Sequence, residues 1–170
     1  TLPKGGQSDG NLDVTAGDGE KQKLFNNKPV GSEVFAYCFN LTSISIPGSV
    51  TSIGSRAFYQ HPRKILDSQK NVVADFSEAI VKINSIDWKD GIESKERIIY
   101  SGAFQGITSL KTVVLPDVKG DTLDIQAYAF ALDKDITSIK GSRTDKNVLP
   151  ATIVNLSKGV FYCCKSLPSI

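Results

Sequence analysis

The stretch VGSEVFAYCFNLTSISIPGSVTS, running from Val30 to Ser52, decides the fold, because it restarts at once as IGSRAFYQ from Ile53. It returns as IYSGAFQGITSLKTVVLP from Ile99, as IQAYAFALDKDITSI from Ile125 and as LSKGVFYCCKSLPSI from Leu156. The shared frame is an aliphatic residue, a Phe five positions on, and further aliphatics six and nine residues beyond the Phe. Phe35-Leu41-Ile44, Phe104-Leu110-Val113, Phe130-Ile136-Ile139 and Phe161-Leu167-Ile170 all keep it. Self-similarity at this period marks a chain built from stacked units.

The distances between the phenylalanines locate the irregularities. Phe35 to Phe58 is 23 residues, Phe104 to Phe130 is 26, and Phe130 to Phe161 is 31. The surplus falls between Pro116 and Ile125 in one case and between Ile139 and Leu149 in the other. Insertions confined to connections are what stacked repeats tolerate. Phe58 to Phe104 is 46, so this interval holds either a degenerate repeat or one repeat with a long insertion. His61, Pro62 and Lys64 break the frame there and favour an insertion around 59–98. We read ADFSEAI, from Ala74, as a strand of that region with Ala74 and Phe76 inward.

Within one unit, Ile44 and Ile46 alternate with Ser43 and Ser45, the pattern of a half-buried strand, and Pro47 closes it. Leu110 to Pro116 reads the same way. The small-Ala-Phe portion lacks alternation and predicts a short helix or tight turn. One strand and one turn cannot bury both faces alone; stacked copies can. The expectation is an α/β fold: a right-handed solenoid of about five irregular coils, with short parallel strands on a concave face. Residues 1–29, rich in Gly and polar residues, read as linker and N-terminal cap, with Leu24 and Phe25 folding over the first coil. Residues 30–170 form the repeat domain.

Composition narrows the function. Hydrophobic residues make up 40% and charged residues 22%, normal for a chain with its own core. Twenty Lys and Arg against eighteen Asp and Glu give +2, which argues against nucleic-acid binding. No apolar run approaches the ~18 residues that span a bilayer. Thr1 opens the chain without Met or a charged-then-apolar leader, so we expect a mature or trimmed chain. Three cysteines, Cys38, Cys163 and Cys164, offer no metal spacing or disulfide framework.

IGSRAF, preceded by LTSISIPGSVTS, resembles the BspA-like (Treponema-type) leucine-rich repeat, whose phrase is IGxxAFxxCxxLxxIxIPxxVxx. DFSEAI is similar to a phrase of such proteins from gut Bacteroidetes. The resemblance implies a cell-surface or extracellular bacterial protein, held to a membrane only through an anchor outside this chain. It implies a protein-binding, recognition or adhesion role toward host matrix or another bacterial surface protein, and carries over no catalytic residue or cofactor. Cys38 and Cys164 keep the family's cysteine slot, while His61, Ile107 and Asp133 replace it. With no visible cap after Ile170, end-to-end self-association is a further expectation.

The chemical candidates are thin. His61, the single histidine, reads as a loop residue beside Pro62. Asp13, Asp18 and Glu20 do not have calcium-loop spacing. Asn40-Leu41-Thr42 and Asn155-Leu156-Ser157 spell sequons with an inward leucine at the centre. The concave face would present Ser43 and Ser45, Asp75 and Ser77, Thr112 and Val114, and Ser138 and Lys140. That surface is small, polar and lacks an aromatic stripe, so a protein ligand ranks above a carbohydrate. Trp88, inside the insertion, is either an exposed anchor or packs on the solenoid edge. We expect no enzyme activity, no metal and no cofactor; a structural spacer is the alternative.

Overall fold

The structure, a computed structural model, describes residues 31–144 and 146–168 in full and the backbone of 11–13. Leu24, Phe25, Asp18, Glu20 and Ile170 lie outside the described residues. The strands in chain order are β1 (Asn11–Asp13), β2 (Ser43–Ile46), β3 (Ser52–Ile53), β4 (Lys64–Leu66), β5 (Val72–Asp75) and β6 (Ser85–Trp88). Then follow β7 (Glu96–Ile99), β8 (Thr112–Leu115), β9 (Thr122–Ile125), β10 (Ser138–Gly141) and β11 (Ile153–Leu156). They form a five-stranded parallel sheet, β1-β2-β6-β8-β10, and a four-stranded parallel sheet, β11-β9-β7-β3. A separate antiparallel hairpin joins β4 and β5. Parallel strands joined by chain that returns around the back make the solenoid, each coil adding one strand to each sheet.

Alternation sets the faces. In the first sheet Ile44, Ile46, Ile86, Trp88, Val113, Leu115 and Ile139 are buried, and the residues between them are half-exposed. In the second, Ile53, Ile99, Leu123 and Ile125 point into the same core. The third wall is made of turns. Among the described residues no helix forms, so of the two options read from the small-Ala-Phe segment the turn is realised. The reason is in the backbone. Glu33, Arg56, Gly102, Tyr128 and Gly159, each two residues before a ladder Phe, have φ between 55° and 68°. Left-handed residues recurring at one position break any helix and fold the wall into tight turns. The turns hydrogen-bond from coil to coil: Phe35 N to Ala57 O at 2.8 Å, Phe58 N to Ala103 O at 2.8 Å, Phe104 N to Ala129 O at 2.9 Å.

Inside this wall the phenylalanines stack face to face. Ring centroids are 5.1 Å apart for Phe35–Phe58, 5.4 Å for Phe58–Phe104, 5.2 Å for Phe104–Phe130 and 6.0 Å for Phe130–Phe161. Phe58 therefore rests directly on Phe104, and no coil lies between them. The long interval contains one coil with extra chain, but that extra chain is shorter than the expected 59–98. Ile86 stands 28 residues after Phe58, where Ile44 stands nine after Phe35. From Ile83 onward the frame has resumed: Ile83 and Ile86 are buried like Leu41 and Ile44, β6 lies between β2 and β8, and β7 lies between β3 and β9. The surplus is the segment that carries the β4–β5 hairpin. The strand read in ADFSEAI belongs to that hairpin and not to the solenoid.

Two further corrections concern the ends. Asn11–Asp13, inside the stretch read as linker, forms β1 and pairs in register with Ser43–Ser45. Leu156, expected inward, is exposed: it lies in register with the buried Ile125, but β11 is the edge strand of its sheet and among the described residues no further strand covers it. Close approach between coils is tightest at Gly48, where a Cβ would stand 1.9 Å from the Asp90 carbonyl oxygen. The Asp90 carboxylate then ties three coils together, accepting from Asp117 N at 3.0 Å and Ser142 Oγ at 2.6 Å, with Arg143 Nε at 3.6 Å.

Candidate functional site

The outer face of the first sheet is built by the register of its strands. Ser43 pairs with Ser85, Ser85 with Thr112, and Thr112 with Ser138, forming one column across four coils. Ser45, Asp87, Val114 and Lys140 form the second column. Neighbouring members of a column are separated by the strand spacing of ~4.8 Å. The result is a hydroxyl row beside a mixed row, half-exposed throughout. Six of the residues read from the sequence, Ser43, Ser45, Thr112, Val114, Ser138 and Lys140, are brought together here.

Asp75 and Ser77 are not. Asp75 ends β5 of the hairpin, and its carboxylate accepts from the Ser77 amide at 3.0 Å and the Ser77 hydroxyl at 2.6 Å, closing a local turn. Ser85 and Asp87 take their place on the face, with Asp87 paired to Lys89. The signal for them lay in INSIDW, Ile83 to Trp88, which repeats the apolar spacing of LTSISI, Leu41 to Ile46.

Trp88 is likewise not an insertion anchor. It is an inward residue of β6, fully buried, occupying the position that Ile46 holds in the coil before. The Arg97 guanidinium lies 5.5 Å from its ring. Arg97 is itself buried, pairs with Asp121 at 3.1 Å and donates to Val50 O at 2.5 Å. Asp121 completes the knot by accepting from Lys95 N at 2.7 Å. A wide indole stands where the neighbouring coils place Ile46 and Leu115, and Arg97 stands level with Leu123.

The cysteine slot holds no reactive centre. Burial pushes the Asp133 carboxyl well above the usual carboxylate range, against the amides of Ile107 and Gly106 that pull it down. Burial, and then the neighbouring Asp133, push the Cys164 thiol up to about 12, and its Sγ donates to Phe130 O at 3.0 Å. Such a thiol is protonated at neutral pH and a poor nucleophile. All three cysteines are free. His61 is half-buried with its ring edge toward Tyr59. No group of three His, Cys, Asp or Glu able to hold a metal occurs among the described residues, and no helix there is long and apolar enough to cross a membrane.

A second surface feature escaped the sequence reading. At the base of the hairpin, Tyr37 stacks on Phe76 with centroids 4.9 Å apart, and Phe39 lies 5.5 Å from Phe76. Tyr59 meets Tyr37 edge-on at 5.5 Å and carries Arg56 at 4.5 Å and Arg63 at 5.4 Å over its ring. These residues come from two coils and the insertion, so only the folded stack assembles them.

The family profile described as "BspA type Leucine rich repeat region" matches residues 28–148 and 74–170, in six copies. Among solved structures, the chain is similar to a T. pallidum leucine-rich repeat protein, at 18% identity and a TM-score of 0.37. That similarity covers 94% of this chain and 78% of the other. Comparison with curated proteins gives no match.

Proposed function

The chain belongs to the BspA-type leucine-rich-repeat family, and from that premise we propose that it is a non-catalytic recognition module of a bacterial surface or secreted protein. The observation that carries this reading is the outer face of the first sheet. Four successive coils contribute in-register pairs, Ser43/Ser45, Ser85/Asp87, Thr112/Val114 and Ser138/Lys140, to one continuous surface. Small side chains keep that surface accessible to a partner's backbone and side chains alike. It has hydrogen-bonding groups along its length and no aromatic platform, which fits a protein ligand better than a sugar. The interior is committed to the Phe ladder and to Trp88, leaving recognition to the outside.

The ligand class is a host matrix protein or another bacterial surface protein, met while the chain is held at the cell surface through an anchor elsewhere. The test is a binding screen against purified matrix proteins and bacterial surface extracts, run in parallel with Thr112→Arg/Ser138→Arg. Two bulky cations at the centre of the face are expected to abolish capture while the thermal melt stays in place. Unchanged capture by the double variant would remove the face from the account. A chain that captures nothing in either form would favour the second reading, a spacer that presents another domain.

A further inference from the structure

We propose that the groove between the turn wall and the β4–β5 hairpin binds an extended acidic peptide segment, with Arg63 holding one of its carboxylate side chains. The groove is lined by Glu33, Tyr37, Arg56, Tyr59, Arg63 and Ile65, with a volume of about 240 Å³. This site is separate from the outer face of the first sheet, and the inference does not rest on that face.

The charge balance comes first. Arg56 meets Glu33 at 3.7 Å and Lys64 meets Asp75 at 3.5 Å. Arg63 has no carboxylate partner among the described residues; its Nε donates to the neutral Tyr37 hydroxyl at 3.2 Å. The nearby acids are already used. Asp67 accepts from the amides of Gln69 and Asn71 at 2.9 Å each, and Asp75 is held by Ser77. The Arg63 guanidinium thus retains its terminal donors while it lies over the Tyr59 ring, its Cζ 5.4 Å from the ring centroid. A guanidinium oriented by an aromatic face is a preorganised fork for a carboxylate.

The hairpin is a two-stranded sheet, and among the described residues β4 and β5 each leave one backbone edge without a partner strand. Leu66, Val72 and Val73 on it are more than half exposed, and Ile65 of β4 faces the groove. An extended chain can add to such an edge through its main chain while alternate side chains enter the adjoining pockets. The pocket here is aromatic and, beside the Glu33–Arg56 pair, holds the Arg63 cation without a carboxylate partner, so the side chain that enters against Arg63 is acidic.

The probe is a fluorescein-labelled octapeptide of alternating Thr and Glu, titrated by anisotropy, with a Thr-Gln octapeptide and sialyllactose as competitors. The Thr-Glu peptide is expected to bind at least ~10-fold more tightly than the Thr-Gln peptide, as one charge-assisted hydrogen bond implies. Arg63→Gln should weaken it by at least ~10-fold on the same basis. Ile65→Glu, which leaves the Arg63–Tyr37 bond in place, should weaken it as well, while Thr112→Arg/Ser138→Arg should bind like wild type. Equal affinity for the Thr-Gln peptide, or an Arg63→Gln variant that melts normally and binds unchanged, would overturn the proposal. So would sialyllactose displacing the peptide with the same Arg63 dependence, which would assign the groove to a carboxylated glycan.

Discussion

Phe104 sits at the middle of the ladder, and its removal tests what holds the stack together. Its ring is 1% exposed and lies parallel to two others, 7° from Phe58 and 10° from Phe130. Truncating a buried Phe costs about 3–5 kcal/mol through lost burial and the cavity left behind. Two stacked neighbours, worth roughly 0.5–1.5 kcal/mol each, place Phe104→Ala in the upper half of that range. Phe104→Leu keeps most of the apolar volume and loses both stacks, so it should cost about 1–3 kcal/mol. Phe161 has one ladder partner, at 6.0 Å, and is only half-buried. Phe161→Ala should therefore cost about 1–3 kcal/mol, well below the central truncation. Urea unfolding followed by circular dichroism reads all three, with the slope checked for loss of two-state behaviour, since repeat stacks can fray from one end. Equal losses at Phe104 and Phe161, or a Phe104→Ala midpoint at the wild-type value, would refute the ladder as the main stabiliser.

Two further outcomes follow from the core. Asp121→Val strands the buried Arg97 charge and should cost about 3–5 kcal/mol, whereas Arg97→Leu/Asp121→Val should recover most of that loss; a double variant no better than the single would show that the ion pair is itself required for the fold. Asp133 has its folded-state pKa raised by burial, so its contribution to stability is full below the ordinary carboxylate range and is lost as pH rises through the raised value. Asp133→Cys, which restores the residue of Cys38 and Cys164, should therefore gain stability over wild type progressively as pH rises above the ordinary carboxylate range; a pH-independent difference in denaturation midpoint would contradict this.

The ladder was legible because each copy carries the complete Phe-Leu-Ile frame within one short window, so local spacing alone revealed it. The first sheet was legible for the same reason in β2, β8 and β10. What could not be read locally was where chain between two copies leaves the stack and where it returns. ADFSEAI, from Ala74 to Ile80, looks like a repeat strand, since a hairpin also needs apolar residues. INSIDW carries the true strand, but Trp88 in place of Ile46 disguised it. In the second sheet β7, Glu96 to Ile99, was hidden because it places Arg97 at an inward position. A buried cation breaks the alternation that marks a strand, and only the fold brings Asp121 to it. The aromatic groove joins Tyr37, Tyr59, Arg63 and Phe76 from different coils, and no spacing rule connects those positions.

One paired affinity measurement decides whether the outer face of the first sheet is the recognition surface. A ligand captured by the wild-type chain is titrated against Thr112→Arg/Ser138→Arg and, separately, against Arg63→Gln. Recognition by that face predicts that the face variant loses at least ~100-fold in affinity, as for a residue pair at the centre of an interface, while the groove variant binds that ligand like wild type. A face variant that binds with wild-type affinity, melting at the wild-type temperature, would contradict it.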